Sequence, residues 1–268
     1  MLRDITIGQY FPGNSVVHRM DPRFKIVMTL LFIVMLFLGE HLYSLGYGLV
    51  YCLIALLLSR IPVKMIWKSV RPLLPILLIT AALDMFFLDD GTVYFHWHFL
   101  KITSDGVNTA GLMAVRIIVL LVGSSLLTYT TSPIALTDAI ERLLAPLKRL
   151  HVPVHAFAMM MTIALRFIPT LIEEADKIMK AQMARGADFE SGNLLKRAKA
   201  MIPLLVPLFV SAFRRAGDLA MAMEARCYHG GEGRTRLRVL RYTQSDLWAL
   251  LATVGTLLAT IFAGMWLK

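Results

Sequence analysis

The sequence has few cysteines and few charged residues. Only 2 of its 268 residues are cysteine, and Cys52 and Cys227 lie far apart, in an apolar and a basic stretch respectively. Two such distant thiols form neither a disulfide framework nor a metal-ligand pattern, so we expect both to be reduced and structural. Charged residues make up 17% of the chain and hydrophobic residues 57%, which is too apolar for an ordinary soluble domain. Composition therefore favours a membrane protein.

Signatures of catalysis and of nucleotide binding are also missing. The glycine-rich run 230–233 continues into Arg234-Thr235 without the lysine that a phosphate-binding loop requires, so we do not expect this chain to hydrolyse ATP by itself. Neither a Ser-His-Asp constellation nor a zinc-ligand spacing is present. Residues 1–23 lack the pattern of a signal peptide and are interpreted as an amphipathic leader of the mature protein.

Five apolar stretches are candidates for membrane-spanning segments. A helix needs about 20 apolar residues to cross the hydrocarbon core, and the last two stretches meet that length. The first two have 14 residues each and must borrow flanking residues or thin the bilayer locally. The stretches cover residues 26–39, 45–58, 72–88, 106–130 and 247–267.

The positive charges indicate the orientation of these segments. Of the 28 lysines and arginines, twenty-five precede the first segment, separate the second from the third, or lie between 131 and 243. Because loops rich in Lys and Arg stay in the cytoplasm, the N-terminus is expected inside and the C-terminus outside the cell membrane. This topology explains the net charge of +10 better than nucleic-acid binding does. It predicts three parts: a leader with four membrane segments (1–130), a cytosolic module (131–243) and a C-terminal transmembrane helix (244–268).

A small β-hairpin is expected on the outer side, within residues 89–105. A turn signal, Asp-Asp-Gly, is followed by two segments rich in β-branched and aromatic residues, 92–97 and 99–103. His96 and His98 would point to one face of a strand. Since no third ligand is evident, an interfacial strand is favoured over a metal site.

Two long helical patterns, 154–183 and 194–225, dominate the stretch from 131 to 243. Each has an apolar stripe with alternating steps of three and four residues, and charged residues on its other faces. Each would be about 45 Å long, and internal prolines predict kinks. Residues 155–172 are apolar enough to span a membrane, but the charged halves of both patterns favour a pair lying on its surface. A shorter amphipathic helix beginning at Ser132-Pro133 precedes them.

The two long patterns end in near copies of one tripeptide, Ala184-Arg185-Gly186 and Ala225-Arg226-Cys227. A single arginine at a helix C-terminus indicates a cap, because it meets the negative end of the helix dipole. The repetition favours a second interpretation, in which two exposed guanidiniums dock into carboxylate-bearing grooves of two partner subunits.

Several motifs in order resemble one family of transport proteins. They are Gly-Gln-Tyr-Phe-Pro-Gly-Asn-Ser at 8–15, His-Arg-Met-Asp-Pro-Arg at 18–23, Thr-Thr-Ser-Pro at 130–133, the two Ala-Arg motifs, and Gly-Gly-Glu-Gly-Arg at 230–234. Together they resemble the T component, the transmembrane scaffold, of energy-coupling factor transporters. The resemblance covers essentially the whole chain.

The resemblance implies a fold and a mechanism. The fold is an all-α polytopic membrane protein with about five transmembrane helices and two long, crossed, amphipathic cytosolic coupling helices. The coupling-helix ends dock into two ABC-type ATPases, which bind ATP and Mg, whereas this chain binds no cofactor. Opposite surfaces hold a substrate-binding membrane subunit for uptake of vitamins or other micronutrients. The implied docking residues are Ala184, Arg185, Gly186, Ala225, Arg226 and Cys227.

Methionines are concentrated in the same region, since eight of the 16 lie between Met159 and Met223. They are consistent with core filling or with a soft surface that repacks against partners. Under the second interpretation, the interface with the substrate-binding subunit includes Met159, Met160, Phe209 and Phe213. Cys227 stands where the family's motif often has glycine, so a different cap is expected on the second helix.

Two other classes of function remain to be weighed. A secondary transporter could use the intramembrane charges Asp84 and Arg116, but it would require inverted repeats or broken helices, and neither is evident. An integral membrane enzyme would require clustered polar groups near one interface. We interpret Asp84 as snorkelling to the outer interface and Arg116 as an inward-facing structural pairing.

Overall fold

The computed structural model describes residues 10–39, 42–87, 93–97, 100–189, 193–230, 240 and 242–266. Helices dominate these ranges, which confirms the predicted all-α polytopic class. A two-stranded antiparallel sheet lies between the fifth and sixth helices. The helices are α1 Val16–Arg19, α2 Pro22–Leu38, α3 Leu42–Ser59, α4 Val63–Val70, α5 Leu74–Phe87, α6 Ser104–Thr130, α7 Pro133–Leu143, α8 Val154–Ala184, α9 Leu194–Glu224 and α10 Gln244–Trp266, and the strands are β1 Val93–Trp97 and β2 Leu100–Thr103.

The chain divides into two compact units. The bundle unit comprises the described residues up to Leu136 and those from 240 onward, and the long-helix unit comprises the described residues between Thr137 and Arg238. The division predicted from the sequence, at 130/131 and 243/244, separates membrane parts from a cytosolic module and stays a prediction. The chain passes from the first unit to the second inside α7, between Leu136 and Thr137.

Six helical segments in the described part of the chain are long and apolar enough to cross a membrane. Four of them correspond to predicted spanning segments, while the 17-residue α2 falls just short of the required length. The other two lie in α8 and α9, so length and composition also admit these helices as spans. Their placement on the membrane surface stays a prediction. The segments are Leu42–Ser59, Val63–Phe86, Gly106–Thr130, Val154–Ala184, Arg197–Glu224 and Gln244–Trp266.

The helices of the first two predicted membrane segments are longer than their apolar stretches, so both borrow flanking residues, as predicted. α2 has 17 residues because Asp21 caps it, its side chain accepting from the Arg23 amide, and Pro22 occupies the first helical position. α3 has 18 residues. The third segment also begins early: α4 continues through the 3-10 turn Arg71–Leu73 into α5. Polar flanks therefore belong to the helices.

Large apolar side chains fill two core clusters of the bundle unit. One joins Phe32, Met35 and Leu36 of α2 to Cys52 of α3 and Val119 of α6. The other joins α4 to the C-terminal half of α6. Many remaining apolar side chains of the bundle helices are exposed, as expected where the solvent of the protein is lipid.

Buried charged groups connect three helix ends in the bundle unit. The Asp21 amide donates to Asp246 Oδ1 at 3.2 Å, which joins the starts of α2 and α10. Lys25 Nζ donates to the Thr130 carbonyl at 3.0 Å and lies 3.3 Å from Thr131 Oγ1, at the end of α6. Since Lys25 and Asp246 are almost fully buried, these bonds satisfy groups that water does not reach.

Arg116 makes a structural pairing, as predicted. Its Nη2 donates to the carbonyl of Gly39, the C-cap residue of α2. A guanidinium at this position satisfies one of the free carbonyls that every helix end leaves. Asp84 lies half-buried near the end of α5.

The β-hairpin was expected within 89–105, and the structure pairs β1 with β2 there. Val93 pairs with Thr103 and Trp97 with Leu100, with an irregularity between Val93 and Phe95. His98, the second histidine considered for a metal site, lies outside the described residues.

Candidate functional site

The first Ala-Arg motif ends α8 in a glycine cap. Ala184 is the last helical residue and Gly186 adopts φ +88°. The Gly186 amide donates to the Met183 carbonyl and the Ala187 amide to the Gln182 carbonyl, both at 3.0 Å. This pair of bonds defines a Schellman motif with Arg185 as the C-cap residue. The predicted left-handed cap at Gly186 is confirmed.

The second motif ends α9 in the same way. Cys227 adopts φ +55°, and its amide donates to the Glu224 carbonyl at 2.8 Å. The Tyr228 amide donates to the Met223 carbonyl at 3.1 Å. The expectation of a different cap at Cys227 is therefore wrong: cysteine takes the left-handed position that glycine takes in α8, and the backbone bonds compensate for its strain.

All six predicted docking residues are exposed. Because the two caps have the same geometry, Arg185 and Arg226 occupy equivalent positions, each the last residue before the chain turns away. Both guanidiniums lie at the negative end of a helix of 31 residues, which leaves them accessible to an external carboxylate.

Side-chain contacts show that α8 and α9 form an antiparallel pair. Glu174 of α8 accepts from Arg215 Nη2 of α9 at 2.7 Å and from the Ser211 hydroxyl. About four turns earlier on α8, Met159 Sδ accepts from the Tyr228 hydroxyl at 2.8 Å, just beyond the end of α9. Earlier residues of α8 thus meet later residues of α9. The two Ala-Arg motifs consequently lie toward opposite ends of the pair.

The four residues predicted to contact a substrate-binding subunit differ in exposure. Met160, Phe209 and Phe213 are exposed by 55%, 61% and 76%. Met159 is half-buried and bonds to Tyr228. Three of the four residues are therefore accessible to an external partner, and Met159 is accessible only in part.

Residues that the sequence analysis missed connect the end of α9 to α7 and α8. His155 Nδ1 donates to Glu141 Oε1 of α7 at 2.9 Å, and His155 Nε2 lies 3.5 Å from the Tyr228 hydroxyl. The only signal in the sequence was the position of Tyr228 directly after Arg226-Cys227. His155 and Tyr228 border an open, mainly apolar cavity of about 450 Å³. Its walls also include Lys148, Pro153, Val154, Ala156, Met159, Met160, Ile163 and Gly230.

Metal and thiol chemistry contribute little to this site. Within the described ranges, no group of three or more His, Cys, Asp or Glu side chains could hold a metal ion. Cys52 is buried and Cys227 exposed, and both are free thiols, as predicted.

Comparison with known proteins agrees with this arrangement of membrane helices and long amphipathic helices. The CbiQ family, described as cobalt transport protein, matches residues 13–237. The chain is 55% identical over 254 residues to the energy-coupling factor transporter transmembrane protein EcfT of Ruminiclostridium cellulolyticum, covering 95% of each chain. It is 56% identical over 252 residues to EcfT of Thermosediminibacter oceani, covering 94% of this chain and 95% of that one. EcfT of Clostridium kluyveri is 50% identical over 267 residues, covering 99% of both.

The fold and the comparisons define a multi-pass membrane component of a transport system. The chain belongs to the CbiQ family, among the transmembrane proteins of energy-coupling factor transporters.

Proposed function

We propose that this chain is the non-catalytic coupling subunit of an energy-coupling factor ABC-type importer. It transmits ATP-driven motion of two ATPase subunits to a substrate-binding membrane subunit. ATP and Mg bind to the ATPases, and this chain supplies no catalytic residue and no cofactor site. Its N-terminus lies in the cytoplasm and its C-terminus outside, as the positive charges indicate.

The observation that carries the proposal is the matched pair of helix ends. Two long antiparallel helices end in the same Schellman cap, and each cap presents an exposed arginine at its C-cap position. A pair of equivalent ATPases needs two equivalent attachment points on an asymmetric chain. Exposed guanidiniums recognise carboxylates with two parallel hydrogen bonds, which provides a directional attachment.

The exposed apolar face of α9 supports the proposed contact with the substrate-binding membrane subunit. Phe209 and Phe213, with Val206 and Val210, present large apolar side chains to the outside of the long-helix unit. Apolar patches of this kind mark interaction surfaces with proteins or membranes. We assign this face to the substrate-binding subunit, which selects the vitamin or other micronutrient.

The rival secondary transporter would need Asp84 or Arg116 as an ion-relay group. The Arg116 guanidinium donates to the Gly39 carbonyl at the end of α2. An arginine at this position stabilises a helix end, which favours a structural role for Arg116.

Uptake measurements test the proposal. The chain is placed in proteoliposomes with a vitamin-binding membrane subunit from the same genome, and uptake of the radiolabelled vitamin is followed with both ATPases, without them, and with ATPases unable to hydrolyse ATP. We expect uptake above background only with active ATPases and internal ATP. Uptake driven by an ion gradient without ATPases would contradict the proposal.

A further inference from the structure

The end of α9 is held by side chains as well as by its own backbone cap. The Schellman bonds fix Tyr228 immediately after Arg226 and Cys227. From that position its hydroxyl donates to Met159 Sδ at 2.8 Å and lies 3.5 Å from His155 Nε2. The second docking end is therefore connected to the first two turns of α8.

The connection continues into α7 through one hydrogen bond to a carboxylate. Because a carboxylate only accepts hydrogen bonds, the Nδ1 hydrogen of His155 points to Glu141 Oε1, 2.9 Å away. The side chain of Glu141 is 14% exposed and that of His155 30% exposed, so the contact is partly shielded from solvent. Tyr228 therefore joins the end of α9 to α8 through its bond to Met159, and His155 joins α8 to α7 through its bond to Glu141. We call Glu141, His155 and Tyr228 the tie.

A cavity beside Tyr228 makes these bonds important for transmitting movement. The open cavity beside Tyr228 shows that apolar packing does not fill the space between this segment and the start of α8. Close packing transmits displacement well, whereas a cavity lets one element move without its neighbour. Among the residues that the structure describes, the side chains of the tie connect the α9 end to α7 across this cavity.

α7 also leads out of the long-helix unit. Its first residues, Pro133 to Leu136, belong to the bundle unit, and the rest belong to the long-helix unit. α7 follows α6 directly: its helix begins after Thr131-Ser132, and the Ser132 hydroxyl accepts from the Ala135 amide at 3.3 Å. A force applied to α7 thus has a short helical route toward α6.

We infer that Glu141, His155 and Tyr228 are positioning residues that pass displacement of the Arg226 end of α9 into α7. The inference rests on the proposed function, because it takes the Arg226 end as an ATPase attachment point. It adds an asymmetry between the two attachment points, since this end carries a side-chain link to the helix that enters the membrane bundle.

Hydrogen exchange of the assembled complex tests the inference without knowledge of the solute. The full-length chain with both ATPases is placed in lipid nanodiscs, and exchange is measured by mass spectrometry with and without a non-hydrolysable ATP analogue. In the wild type, we expect the nucleotide to change exchange both in residues 221–230, at the docking end, and in residues 137–144, in α7.

Two conservative variants separate transmission from docking. Tyr228→Phe keeps the ring but removes the hydroxyl, and Glu141→Gln keeps the shape but weakens the contact with His155. In both, the nucleotide response of 221–230 should persist while the response of 137–144 falls by roughly threefold or more. Tyr242→Phe, which removes a tyrosine hydroxyl in the bundle unit, should behave as wild type.

The outcomes distinguish this inference from the proposed function. The inference is wrong if the nucleotide changes hydrogen exchange of residues 137–144 equally in the wild type and in both tie variants. It is also wrong if the nucleotide does not change exchange of these residues in the wild type. Loss of the 221–230 response in the tie variants also overturns it, because the residues would then belong to docking itself. No nucleotide-dependent change at 221–230 in the wild type would instead contradict the proposed function, because the ATPases would then not move this end.

Discussion

At the residue scale, the two Ala-Arg motifs have one backbone geometry but a different residue in the left-handed position. Gly186 adopts φ +88° without a side chain, whereas Cys227 adopts φ +55° with one. A left-handed conformation costs an L-residue about 1–2 kcal/mol, which glycine avoids. The end of α9 is therefore held in place against a local strain that the end of α8 lacks.

Opposite substitutions at these two positions should have opposite effects. In the isolated chain, Cys227→Gly should strengthen the α9 cap by about 1 kcal/mol, and Gly186→Ala should weaken the α8 cap by a similar amount. The measurement is amide exchange of Tyr228 and Ala187, the residues whose amides close the two caps. Slower exchange of Tyr228 and faster exchange of Ala187 are expected. Faster exchange of Tyr228 in Cys227→Gly would show that the cysteine side chain contributes to the cap.

At the element scale, α6 packs on α2 through a glycine that leaves no room for a methyl group. A Cβ atom on Gly123 would lie 2.2 Å from Cε1 of Phe32, a buried residue of the core cluster. On the same helix, a Cβ on Gly111 would meet nothing within 4 Å. Replacing either glycine by alanine changes the helix propensity of α6 in the same way, but only the change at Gly123 disturbs the contact with α2.

Gly123→Ala should destabilise the bundle, and Gly111→Ala should not. Overpacking costs about 1–3 kcal/mol, and the melting temperature of a chain of this size falls by about 2–4 °C for each kcal/mol. Thermal unfolding of the detergent-purified protein, followed by tryptophan fluorescence, provides the comparison. Equal melting temperatures for the two variants would show that the α2–α6 contact is not close-packed.

Much of this element structure could be predicted from the sequence, and the errors have local causes. The two long helices begin and end within a residue or two of the predicted limits, because proline, asparagine and the Ala-Arg caps mark their termini. The apolar stretches of the first two membrane segments are shorter than their helices because apolar content alone leaves out flanking residues, such as the Asp21-Pro22 cap of α2. The tie was missed because Glu141, His155 and Tyr228 are distant in sequence and only the fold brings them together.

At the scale of the whole molecule, two helix ends of matching geometry are the proposed attachment points for two ATPases. The caps match, the arginines are exposed, and the antiparallel pairing of α8 with α9 puts them toward opposite ends of helices about 45 Å long. Such separation suits two copies of a similar subunit that move relative to each other. In the proposed function, the bundle unit is the membrane anchor of the chain.

Co-purification of the ATPases with charge-reversed variants tests this central claim most directly. The compared variants are Arg185→Glu, Arg226→Glu and the double variant, with Lys180→Glu and Arg214→Glu as matched reversals of exposed charges within the same helices. Exposed single charges contribute little to folding, so all variants should reach the membrane at wild-type levels. We predict that each end variant retains less ATPase, that the double variant retains almost none, and that both controls retain the wild-type amount. Full retention of both ATPases by the normally inserted double variant would contradict the account and reduce both arginines to helix caps.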